Sequence, residues 1–186
     1  MKETLHEYLR EQRNAVLWKV DGLPERELRL PRTPTGTNLL GIVKHLAGIE
    51  VEYFGAGLGR TWPEPWWDDA APAEPNADMW ATEEETPEAI IQRYRRVVAW
   101  ADEGIAGREL DAPAHVPWWR EPETTLHRLL VHMTAETARH AGHLDILREQ
   151  ADGQRGLLTA IPNLPDVDEA WWRAYVDRLR AIAERS

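Results

Sequence analysis

Apolar residues recur along this chain at intervals of three and four, the period of a helix with one face in a core. Leu5, Leu9, Val16, Val20 and Leu23 fit one broad stripe and predict a first helix over residues 4–23. "LPRTPTGTN" interrupts the pattern: Pro31, Pro34 and Gly36 mark a loop, and Thr37 or Asn38 stands where a helix cap belongs. A second helix runs from there to about Phe54, where "GAGLGR" stops it. Ile90, Ile91, Tyr94, Val97, Val98 and Ala101 form the face of a third. That helix has Thr86 as cap, Pro87 at its first position and acidic residues clustered at its start. A long helix from about Thr124 to Gln150 ends near Gly153, and a last one covers about Val167 to Glu184. The connection 55–85 is rich in Pro, Asp and Trp, 107–123 reads as a second loop, and no strand alternation is evident. The pattern predicts an all-α protein, one domain over residues 1–186. Its architecture is a four-helix up-and-down bundle with long connections and an additional C-terminal helix.

Composition narrows the class. The 186 residues are 42% hydrophobic and 29% charged, which suits a soluble fold with a substantial core. No apolar run approaches the roughly 18 residues of a membrane span. "MKETLHEYLR" lacks the apolar stretch of a signal peptide, so a cytoplasmic protein is expected. With no cysteine, a disulfide scaffold, a thiolate zinc site and a Cys nucleophile are excluded. A net charge of −10 argues against a nucleic-acid backbone as the main partner. Ten tryptophans accompany a single Phe, with doublets at Trp66-Trp67, Trp118-Trp119 and Trp171-Trp172. They read either as packing or as the wall of a ligand pocket. In the 55–85 connection, Trp62, Trp66, Trp67 and Trp80 either wall a pocket over the site described next or anchor a long crossover.

"ETARHAGH", residues 136–143, concentrates the candidate chemistry. At about 100° per residue, with His132 at zero, Glu136 falls near 40°, His140 near 80° and His143 near 20°. The four share one arc of about 80°, bordered by Leu129, Met133, Leu144 and Leu147, so part of it faces the core. Buried ionisable groups are costly unless paired or bound to a metal. Imidazole and carboxylate are ligands for zinc, with nickel or iron(II) as alternatives. Glu136 and His140 meet at i, i+4, and a third ligand has to come from another helix. His45, spaced helically with Ile42 and Ile49, is aimed at the core and is the leading candidate. Read one by one, each has a plainer alternative: a hydrogen-bonded core histidine at His45, and at Glu136 a surface carboxylate paired with Arg139 or His132. His115 and His127 read as solvated, and His6 as a surface residue.

"TPTGTNLLGIVKHLAGIEVEYF" and "LLVHMTAETARHAGHLDILREQADG" together resemble the DinB-like superfamily. The similarity is greatest to a branch related to mycothiol-dependent S-transferases and to the N-terminal domain of maleylpyruvate isomerase. It implies a four-helix bundle with a divalent metal held by three side chains: His45, Glu136 and His140. His143 falls to a supporting place or a spare ligand, and His132 supports the site from one turn away. Residues 55–120 match poorly, and the chain is too short for the isomerase's extra domain, so that isomerisation is not implied. The implied activity is a metal-dependent S-transferase joining a low-molecular-weight, mycothiol-like thiol to a small electrophile. His143 or His132 would orient a ligand or relay a proton, and Arg148 or Arg139 would receive a substrate carboxylate. The alternative is a non-catalytic metal-binding bundle with a stress-response or interaction role. A homodimer is expected through the last helix, whose Trp171, Trp172, Tyr175, Leu179 and Ile182 offer more apolar surface than one edge needs.

Overall fold

Helix boundaries follow local chemistry closely in the computed structural model, which describes residues 1–65, 74–158 and 160–185. Helix α1 (Lys2–Val20) is followed by the short α2 (Glu25–Arg29), with Gly22 between them at φ 71°. Helix α3 (Leu39–Phe54) opens on Asn38, whose side-chain oxygen accepts from the Gly41 amide at 2.8 Å. Helix α4 (Pro87–Ala106) opens on Thr86, which accepts from the Ala89 amide at 3.2 Å. Strands β1 (Pro113–His115) and β2 (Glu123–Thr125) pair antiparallel, Ala114 opposite Thr124. Helix α5 (Leu126–Asp152) stops at Gly153, whose φ of 79° is a left-handed conformation costly to any residue with a Cβ. Helix α6 (Glu169–Ala183) opens on Asp168, which accepts from the Trp171 amide at 2.8 Å. Two 3₁₀ turns, Ala56–Leu58 and Ala77–Met79, lie in the long connection between α3 and α4.

The described residues are mostly helical, as the apolar periodicity predicts, and six helices are formed. Their chain divides into two compact units, Met1–Arg155 and Gly156–Ser186. In the first, α1 packs along α5, and α3 packs along both α4 and α5. The sequence of α3 explains its central place: Leu39, Leu40, Ile42, Val43, Leu46 and Ala47 are all fully buried. Each large aliphatic side chain buried this way contributes about 1.5–3 kcal/mol. Leu9, Val16 and Val20 of α1 and Ile90, Tyr94, Val97 and Ala101 of α4 complete the stripes read from the sequence. In the second unit, α6 has no buried residue, and Trp171, Val176, Leu179 and Ile182 are exposed.

Polar groups also tie this core. Arg13 of α1 grips Glu50 of α3 through two hydrogen bonds of 2.7 and 2.6 Å and reaches Asp102 of α4 at 2.7 Å. His6 joins the cluster at 2.6 Å from Asp102, so the surface position expected for it is corrected to a largely buried one.

The sheet is a second departure from expectation. Strands of three residues are too short to show a two-residue period, so residues 107–123 read as loop. The hairpin brackets Trp118 and Trp119 and seats Ala114 and Val116 in the core. Trp62 packs edge-on against Trp100 of α4 at 5.3 Å, which anchors the start of the long connection. Trp66, Trp67 and Pro72, invoked for a pocket wall, lie outside the described residues. No described helix is long and apolar enough to cross a membrane.

Candidate metal centre

The face of α5 read from "ETARHAGH" meets α3. His45, Glu136 and His140 each direct a ligand atom to a common point, the three atoms within 4.8 Å of one another. The rings of His45 and His140 lie 4.9 Å apart. His140 Nε2 is 3.1 Å from a Glu136 carboxylate oxygen across one helical turn. The His140 side chain is the most enclosed at 11% exposure, while Glu136 at 31% opens to solvent.

Electrostatics favour neutral imidazole at the buried end. Burial pushes His140 below the ordinary histidine range, and the neighbouring His45 adds to this, with Glu136 pulling the other way. A neutral ring has a lone pair to offer. The Nδ1 of His140 is buried with no hydrogen-bond partner, and its Nε2 contact is to Glu136, itself one of the trio. Two imidazoles and one carboxylate are a donor set for zinc, with ligand distances of about 2.0–2.2 Å. Small side-chain rotations bring donors already within 4.8 Å into such a shell. The residues therefore fit a divalent cation.

The remaining residues expected at the site fall around this trio. His143 is exposed and touches the His140 ring edge-on at 5.4 Å. His132 lies one turn before Glu136, its ring 4.7 Å from Tyr53 and 5.0 Å from Trp119. Burial holds its pKa down, helped by Arg128 and opposed by Glu136. Arg148 is not brought to the trio: it lies about 12 Å further along α5. It is buried, donates to the carbonyls of Trp18, Lys19 and Asp21 at the end of α1, and pairs with Asp152 at 2.8 Å. It thus clamps one helix end to another. His115 and His127 are exposed, and His115 pairs with Glu123 at 2.8 Å.

Beside His132 the surface opens into a cleft of about 630 Å³, lined by Trp118, Trp119, Arg120, Arg128, His132 and Ala135 among others. Arg128 stacks over Trp119 at 4.6 Å, and the Trp118 indole N–H donates to the Tyr53 hydroxyl at 3.4 Å. His45 meets His140, and Tyr53, eight residues later, meets His132, eight residues earlier. Helices α3 and α5 therefore run antiparallel along one seam, with the cleft end about 6 Å from Glu136 and about 12 Å from His140 along α5. Nothing local in the chain marks Tyr53 or Asp78 for this site, whereas Trp119 belongs to a doublet read as packing or a pocket wall. Asp78 stands 33 residues from His45 in the chain and 2.7 Å from its Nδ1 in space.

The protein is mostly helical, and its packed helices bring two imidazoles and a carboxylate together as a candidate metal site. Residues 4–153 match the sequence profile of the mycothiol-S-transferases, and the chain belongs to that DinB-like family. No curated protein matches it.

Proposed function

We propose that the protein is a divalent-metal-dependent thiol S-transferase, joining a mycothiol-like thiol to a small electrophile. The observation that carries this is the convergence of His45, Glu136 and His140 in a chain of the mycothiol-S-transferase family. In the reaction the sulfur lone pair forms an S–C bond to the electrophilic carbon. The thiol proton goes to a base, and the bond electrons of the displaced group leave with it. Zinc, or nickel or iron(II), held by His45, Glu136 and His140 would supply positive charge that favours the ionised thiol.

The chain's own residues do the rest. His132, kept neutral by burial, accepts a proton at a ring nitrogen on the side facing the cleft. His143, exposed against the His140 ring, orients the entering molecule by hydrogen bonding. The indole faces of Trp118 and Trp119 and the guanidinium groups of Arg120 and Arg128 suit the ring-bearing, hydroxyl-rich body of such a thiol. The four long helices α1, α3, α4 and α5 form the DinB-type bundle, and the reaction takes place in the cytoplasm.

The test is product detection by mass spectrometry after incubating zinc-loaded protein with mycothiol and a haloaromatic electrophile. Thioether forms faster than in the protein-free control, and chelation abolishes the difference. Metal binding with no acceleration for mycothiol or any other small thiol contradicts the proposal and leaves the non-catalytic metal-binding reading.

A further inference from the structure

We infer that Asp78 is the positioning residue of this centre: it fixes the tautomer of His45 and leaves that ring's Nε2 for the cation. The inference rests on the metal centre proposed above. The Nδ1 of His45 lies 2.7 Å from an Asp78 carboxylate oxygen. An ionised carboxylate only accepts, so Nδ1 carries the hydrogen and Nε2 carries the lone pair. Without such a partner an imidazole divides between tautomers and rotates more freely. A carboxylate behind the ring removes both freedoms and raises the basicity of the nitrogen that binds.

A half-exposed aspartate on a three-residue 3₁₀ turn is an unpromising anchor unless the turn itself is held. Here it is held by α3. The Asn38 side-chain amide donates to the Met79 carbonyl at 3.2 Å. Lys44 donates to the Trp80 carbonyl at 3.1 Å and pairs with Glu85 at 3.0 Å. Between them, the turn lies flush on Gly41: a Cβ at that position would stand 1.8 Å from the Met79 carbonyl oxygen. Asn38, Gly41 and Lys44 recur every three residues along one side of α3, and His45 follows directly. One helix face thus grips the turn and presents the histidine that the turn orients. Asn76, at φ 68°, reverses the chain into the turn in a left-handed conformation that asparagine tolerates.

The test uses the full chain. First, ¹⁵N NMR of the metal-free protein reads the His45 tautomer. Wild type shows the Nδ1–H form, and Asp78→Ala shifts the ring towards the Nε2–H form. Second, zinc affinity is measured by competition with a chromogenic chelator. Asp78→Ala weakens it about 10–100-fold at unchanged stoichiometry, and Asp78→Asn, which keeps an acceptor but loses the charge, falls between. Gly41→Ala, which alters neither ligand nor carboxylate, weakens zinc binding too, and combining it with Asp78→Ala adds nothing further. An Asp78→Ala variant with wild-type tautomer and zinc affinity within twofold overturns the inference and makes the contact an ordinary surface ion pair. If wild type binds no zinc, the metal centre fails, and the NMR measurement still decides whether Asp78 sets the tautomer.

Discussion

Arg13 offers the sharpest test of what holds the helices together. Its side chain is 2% exposed and that of Glu50 is fully buried, so neither charge has water to fall back on. Burial alone would lower the Arg13 pKa, but the charge and hydrogen bonding of Glu50, with Tyr94 and Asp102 adding to them, together hold it above its already high ordinary value. Arg13→Met keeps the volume and removes the charge, leaving Glu50 without its guanidinium partner. Two charge-assisted hydrogen bonds at about 1.5–3 kcal/mol each set the scale. Breaking one side of a buried pair costs about 3–5 kcal/mol. For a chain of this size that lowers Tm by about 6–20 °C. Urea unfolding followed by tryptophan fluorescence measures the loss. The double variant Arg13→Met/Glu50→Leu removes both charges and recovers much of it, because a buried ion pair replaced by well-packed apolar groups is often near neutral. A single variant that loses less than about 1 kcal/mol, or a double variant whose loss equals the sum of the singles, refutes the reasoning.

Three further outcomes follow from the same contacts. Burial alone would raise the Asp102 carboxyl, but the His6 hydrogen bond and the Arg13 charge outweigh it and hold the group below its ordinary value. Its contribution is therefore present above the unfolded carboxylate range, near pH 3.9, and is lost as pH falls through the lower folded value. Asp102→Asn should lose less stability than wild type between about pH 5 and 3, and an identical acid slope would count against this. Arg148→Ala should cost about 2–4 kcal/mol in urea unfolding through the lost clamp on α1, while zinc affinity stays within about threefold. The exposed apolar side chains of α6 predict a two-chain species at micromolar concentration, and sedimentation showing a single chain removes that expectation.

The legible parts of this protein were those written locally. Asn38, Thr86-Pro87 and Gly153 mark helix ends by capping chemistry that needs no tertiary partner. The pairing of Glu136 with His140 follows from one helical turn, and the inward aim of His45 from its apolar neighbours. What escaped depends on distant chain. Asp78 reaches His45 only because Asn38, Gly41 and Lys44 hold its turn, a contact across more than thirty residues. His6 reads as a surface residue until Asp102 of α4 packs beside it. Arg148 sits on an amphipathic helix where a ligand-binding charge and a clamp for another helix end look alike. The strands flanking Trp118-Trp119 span three residues each, below the length at which alternation can be recognised.

Calorimetric titration of zinc into metal-free protein tests the central claim most directly. Wild type should bind one ion per chain, as a three-ligand site requires. His45→Ala, Glu136→Ala and His140→Ala should each abolish or greatly weaken that binding while circular dichroism shows the helices intact. Full stoichiometry and unchanged affinity in both His45→Ala and His140→Ala would contradict the account.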